Sequence, residues 1–135
     1  METHAAMRRI HLELARTTKY PDGSAEHGYE FVAPLTAEGH VDLEAWRQNR
    51  DACTVTRFWS NEPEQVGRLR HLRGGWCFDY GNGASEDEEP FYKLDHHTFV
   101  RGRYVTITER DGKQYPFKVM SVVPVIGDAA GSGWR

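Results

Sequence analysis

Phe99-Val-Arg-Gly-Arg-Tyr-Val-Thr-Ile-Thr-Glu-Arg-Asp-Gly-Lys-Gln-Tyr-Pro-Phe-Lys-Val-Met-Ser-Val-Val123 is the stretch on which the fold turns. Two runs rich in β-branched and aromatic residues flank Asp111-Gly112, the pattern of a β-hairpin. A two-residue turn at Asp111-Gly112 sets Val105 against Lys118 and Ile107 against Pro116, which separates the apolar residues. A three-residue loop, Arg110-Asp111-Gly112, with glycine in the left-handed conformation, sets Val105 against Phe117, Ile107 against Tyr115 and Glu109 against Lys113. The second register is the expectation, because a one-residue slip would turn every side chain to the other face. It buries Val105, Ile107, Tyr115, Phe117 and Val119 and leaves Thr106, Thr108, Gln114 and Lys118 outside.

Outward from this hairpin the strand signals continue. Ile10, Leu12 and Leu14 alternate with polar neighbours between Arg9 and Ala15, a half-buried strand. Thr17 to Gly28 carries Pro21, Asp22-Gly23 and Gly28 and is expected as a long loop, a common place for function. Tyr29 to Leu35 resumes as a strand. Asp42 can cap a short helix of about ten residues that carries Leu43 and Trp46. Cys53 to Trp59 is strand-like and is broken by Ser60-Asn-Glu-Pro63. Gln65 to Tyr80 is expected as a second hairpin turning at Gly74-Gly75, which pairs Arg73 with Trp76, His71 with Phe78, Leu69 with Tyr80 and Arg70 with Asp79. Gly81 to Glu89 is an acidic loop, and Pro90 to Lys93 suits a short edge strand.

These elements predict a mainly β fold: a small antiparallel barrel or sandwich of about seven strands, with one short helix plugging an end or bridging a corner. A parallel α/β fold would need several crossover helices. The 135 residues suit one domain, expected over residues 8–125, with a flexible N-terminus at 1–7 and a flexible tail at 126–135. The net charge of -3 gives no overall attraction to phosphate backbones or anionic lipid, so nucleic acid is disfavoured as a partner and a membrane is not expected. No run approaches the roughly 20 apolar residues that span a bilayer, and the first seven residues lack the apolar centre of a signal peptide. A cytoplasmic location follows, and there Cys53 and Cys77 read as two small buried hydrophobes.

Catalytic signatures are missing from the sequence: it has no nucleophile elbow, no P-loop and no zinc-protease helix motif. Asp95-His96-His97, with His71 as a further ligand or base, forms the set from which a metal-assisted or acid–base enzyme would be built. Adjacent residues of a strand point to opposite faces, however, so His96 and His97 do not share an ion unless the chain turns there. The plainer reading is ordinary loop histidines, and neither a metal nor a cofactor is expected. Two carboxylates brought together by the fold would leave no trace in spacing, which keeps Asp79, Asp95 and Glu109 in view as acids. The run Glu86-Asp87-Glu88-Glu89 lacks the glycine-punctuated spacing of calcium loops.

The arginines say more. They make up 13 of 17 basic residues and include Arg57, Arg68, Arg70, Arg73, Arg101 and Arg103. A surface carrying Arg57, Arg68, Arg70 and Arg101 would grip phosphates or carboxylates through bidentate hydrogen bonds, and an exposed Trp76 face would stack bases or sugars. The plainer reading is salt bridges such as Arg70 with Asp79, over a core that contains Trp76.

Phe31-Val-Ala-Pro-Leu35, Arg57-Phe-Trp59 and Phe99-x-x-Gly102-x-Tyr104-Val105-x-Ile107, followed by Asp111-Gly112 and Phe117-x-Val119, resemble a family of small uncharacterised bacterial proteins over residues 8 to 125. The resemblance implies a one-domain bacterial protein and carries no activity, cofactor or site. The Gly-x-Tyr-Val-x-Ile start of the last hairpin is also similar to strands of SH3-like barrels, and fold likeness of that kind carries no function. Function at this level is open. The leading expectation is a non-catalytic binding or adaptor module that meets a protein or small-molecule ligand through the loops at 17–28 and 81–89. The alternatives are the enzyme built on His71, His96, His97 and Asp95, and nucleic-acid binding through the arginine surface.

Overall fold

The structure is a computed structural model that describes residues 5–72, 75–80, 92–95, 98–109 and 111–125. Eight strands form one closed antiparallel barrel: β1 Ala6–Leu14, β2 Ser24–Leu35, β3 Thr54–Trp59, β4 Glu62–Leu72, β5 Gly75–Asp79, β6 Lys93–Leu94, β7 Tyr104–Thr108 and β8 Gln114–Pro124. Each strand pairs with the next in sequence, and β8 returns to β1, setting Leu14 opposite Phe117 and Leu12 opposite Val119. Closure excludes the sandwich, and the strand number is eight because the two-residue β6 links β5 to β7.

The last hairpin has the register expected of it. Val105 lies opposite Phe117 and Ile107 opposite Tyr115. The Glu109 amide donates to the Lys113 carbonyl over 2.8 Å, and Gly112 takes a φ of 84°, which strains any residue with a Cβ. The interior is filled rather than hollow. Ile10, Leu12, Phe31, Val55, Leu69, Phe78, Ile107 and Phe117 are each no more than 2% exposed, as expected for a barrel this narrow.

Two sequence expectations are corrected. The loop expected over 17–28 ends earlier: Gly23 closes a turn on the Tyr20 carbonyl at 2.9 Å, and β2 begins at Ser24, paired with Leu14. Between that pair and Glu13 opposite Gly28, residues 25–27 form a bulge, which tucks the His27 ring inside. Gly28 is required just beyond it, since a Cβ there would overlap the Leu12 carbonyl oxygen and press on the Phe58 ring. The second hairpin is also displaced by two residues. Leu72 pairs with Gly75, His71 with Trp76, Leu69 with Phe78 and Arg68 with Asp79. Gly75 is therefore a strand residue and not part of the expected turn, and residues 73–74 lie outside the described residues. Side-chain faces survive a two-residue slip because the strand period is two. Arg70 still reaches Asp79, at 2.8 Å.

α1, Leu43–Gln48, starts where the Asp42 carboxylate accepts from the Ala45 amide at 2.8 Å, and a 3₁₀ turn at Arg50–Ala52 completes the helical segment. Trp46 closes this end of the barrel. Its indole N–H donates to the Leu69 carbonyl at 2.9 Å, and its ring meets Trp76 edge-on at 5.3 Å. Cys53 and Cys77 are buried free thiols, and burial pushes both up to about 11. No helix among the described residues is long and apolar enough to cross a membrane.

Candidate functional site

An up-and-down barrel sends its odd-numbered connections to one end and its even-numbered ones to the other. The β1–β2 loop, the β3–β4 turn, the end of β5, the start of β6 and the β7–β8 turn therefore meet at one mouth. Of the two segments expected to bind, 17–28 lies at that end as far as the turn at Gly23, and 81–89 lies outside the described residues.

The strand period delivers charged side chains into this mouth. Along β3, Cys53, Val55 and Arg57 share the inward face. After β7, Glu109 continues the inward series of Val105 and Ile107. Arg57 and Glu109 are consequently 7% and 6% exposed and face each other across the barrel. The Arg57 Nε and Nη2 donate to Glu109 Oε1 at 3.2 and 2.8 Å, and its Nη1 donates to Glu62 Oε1 at 3.1 Å. The Tyr29 hydroxyl donates to the other carboxylate oxygen, Oε2. The guanidinium lies 4.3 Å over the Trp59 ring and 5.6 Å from the Tyr92 ring. All three guanidinium nitrogens are thus engaged.

Burial opposes the charge of Arg57, but Glu109 and the bonds to Glu62 outweigh it and hold the guanidinium protonated. For Glu109 the balance tips the other way. Burial raises its carboxyl above the ordinary range against the opposing pull of Tyr29 and Arg57. Burial also drives the Tyr29 and Tyr80 hydroxyls well upward, so both act as neutral hydroxyls. The Tyr80 hydroxyl is fully buried and has no hydrogen-bond partner among the described residues, and its ring stands edge-on to Tyr92 at 4.9 Å.

Above this network opens a cleft of about 740 Å³ lined by Arg57, Trp59, Glu62, Gln65, Tyr92, Glu109 and Tyr115, with Glu64 and Asp111 on its rim. Four carboxylates and one guanidinium thus line a cleft with aromatic walls, and two of the four, Glu62 and Glu109, bond that guanidinium. Next to it, the bulge places His27 edge-on against Trp59 at 4.6 Å, with Ser24 Oγ 2.7 Å from Nδ1 and the Tyr20 hydroxyl 3.3 Å from Nε2. Burial lowers the His27 pKa from its ordinary value of 6.5.

The residues singled out in the sequence do not converge on one place. Arg57 belongs to the mouth and not to an outer arginine surface, because its β3 position points inward. Arg68 and Arg70 lie on the outer face of β4, and Arg101 sits in the turn before β7, three strands round the barrel. Trp76 is buried core at 6% exposure, which removes the stacking face. His71 is at the end opposite the mouth, 4.6 Å from the Trp76 ring. Asp95 follows Lys93 on the outer face, and its Oδ1 accepts from the Thr106 amide at 3.1 Å. His71 thus lies against Trp76 and Asp95 beside β7, and His96 and His97 lie outside the described residues. Among the described residues no group of three His, Cys, Asp or Glu is placed to hold a metal ion.

Fold and site together define a closed eight-stranded up-and-down barrel with an ionic, tyrosine-rich mouth. No family model, no curated protein and no solved structure matches the chain.

Proposed function

We propose that this protein is a non-catalytic binding module and that its mouth takes a small organic cation. One observation carries the reading: a buried Arg57–Glu109–Tyr29 network forms the floor of an open cleft, with the Tyr80 hydroxyl beside it unpartnered among the described residues. Buried ion pairs add little net stability over apolar residues of the same volume, so a folding role alone does not account for this one. Perturbed ionisable groups at the floor of a cleft are a frequent mark of a binding site.

The sign of the ligand follows from the donors. Arg57 has given its nitrogens to Glu109 and Glu62, so an arriving carboxylate or phosphate would have to displace one of them. A cation instead meets a cleft lined by Glu62, Glu64 and Asp111 together with Trp59, Tyr92 and Tyr115. The β1–β2 loop borders the opening, in keeping with loops that bind on a rigid barrel. A cytoplasmic setting suits the two free thiols. The bacterial family and the SH3-like strand add nothing about the ligand.

The test is a nuclear magnetic resonance titration with tetramethylammonium chloride, tert-butanol as the neutral isostere and sodium acetate as the anion. The expected result is a saturable shift of the Trp59 indole and Tyr115 signals with tetramethylammonium alone, weakened in Glu62→Gln. Equal response to acetate, or no saturable response to the cation, overturns the proposal.

A further inference from the structure

The mouth uses Arg57 and leaves the other arginines of the chain unexplained. Four of them gather around a second concavity, of about 540 Å³, on the side wall where α1 and the 3₁₀ turn pack against β4. Arg47 comes from α1, Arg50 from the 3₁₀ turn, and Arg68 and Arg70 from the outer face of β4. The whole chain carries -3, so this local excess of positive charge runs against the average.

Carboxylates neutralise only part of it. Arg70 bonds Asp79 at 2.8 Å, and Arg47 reaches the exposed Glu44 at 3.4 Å. No carboxylate pairs with Arg50 or Arg68 among the described residues. The Arg50 guanidinium lies 4.8 Å over the Trp46 ring, and Trp46 is itself fixed by its bond to Leu69 and its contact with Trp76. The groove floor is therefore rigid. Val66, 67% exposed, forms an apolar flank beside the charges. His71 lines the same groove, and burial together with Arg47 lowers its pKa, which leaves the ring neutral and free to hydrogen-bond.

We infer that this groove is an oxyanion site, separate from the mouth, that takes a phosphate monoester carried on a small organic group. The two guanidinium forks that lack a carboxylate among the described residues suit a dianionic phosphate, since each can donate two parallel hydrogen bonds. Val66 supplies a contact that inorganic phosphate cannot use.

The test follows the Trp46 indole and His71 signals while inorganic phosphate, phenyl phosphate or chloride at matched ionic strength is added. Saturable shifts with both phosphates, tighter for phenyl phosphate and absent with chloride, are expected. Arg50→Gln and Arg68→Gln should each weaken binding about tenfold or more, the range for a lost charge-assisted hydrogen bond. Arg101→Gln should leave it unchanged, and circular dichroism confirms that each variant is folded. A chloride response equal to that of phosphate, or binding indifferent to both groove variants, overturns the inference. Binding of a single-stranded oligonucleotide that phenyl phosphate fails to displace overturns the small-ligand assignment.

Discussion

Glu109→Ala removes one carboxylate from the mouth and leaves two groups without their partner. Arg57, 7% exposed, keeps only Glu62, whose side chain is half in water, and the Tyr29 hydroxyl loses its acceptor in the interior. Breaking one partner of a buried ion pair costs about 3–5 kcal/mol, and Glu62 brings this case to the low end, about 3 kcal/mol. The orphaned hydroxyl adds about 1 kcal/mol or more. A total near 4 kcal/mol is a large part of the roughly 5–15 kcal/mol that holds a domain of this size, and it lowers the melting temperature by roughly 10–20 °C. Arg57→Met with Glu109→Leu removes both charges and fills the same space, so the double variant should recover most of the loss. Urea unfolding followed by tryptophan fluorescence measures both. Glu109→Ala within about 0.5 kcal/mol of the parent, or a double variant no more stable than the single one, would refute the claim that the two charges hold one another in the barrel.

Three further outcomes are expected. Ile107→Ala, at a site with 0% exposure, should cost about 3 kcal/mol in urea unfolding, within the usual range for truncating a packed aliphatic side chain. Gly112→Ala meets open space but forces a positive φ, and should cost about 1 kcal/mol; Gly28→Ala drives a methyl into the Leu12 carbonyl and should cost clearly more in the same thermal melt. His27 has a folded pKa below its unfolded 6.5, so the stability that it contributes is complete above pH 6.5 and is lost as pH falls toward and through the lower folded value. Unfolding midpoints measured from neutral to mildly acid pH should therefore fall more steeply for the parent than for His27→Gln, and parallel slopes would count against a buried neutral imidazole.

The sequence carried the hairpin at 104–119 in full, because alternation and a glycine turn agree on one register. It did not fix the pairing of β4 with β5, since a two-residue slip preserves every face and hydrophobic pattern is blind to it. The β1–β8 closure joins residues more than a hundred positions apart and leaves no local mark. The mouth pair did leave one. Arg57 shares the parity of Cys53 and Val55, and Glu109 that of Val105 and Ile107, so two opposite charges were written on inward positions of separate strands. Grouping Arg57 with Arg68 and Arg70 by residue type hid that pattern. The arginines of the side groove could not be gathered from spacing, because α1 and β4 meet through tertiary contacts such as the bond from Trp46 to Leu69 and the Trp46–His71 ring contact.

The two-residue β6 is the thinnest stave in the hoop. Among the described residues one pair joins it to β5 and two join it to β7, whereas nine join β1 to β2; the bonds from Phe78 to Tyr92 and from Asp95 to Thr106 extend the seam there by one step at each end. A ring of staves parts first where fewest bonds cross, so amide hydrogens of β5 and β7 on the side facing β6 should exchange with solvent long before those shared by β1 and β2. Tyr92 stands at the top of that seam and also forms a wall of the mouth, so the same slender link that completes the barrel ties the shape of the opening to how tightly the hoop is drawn.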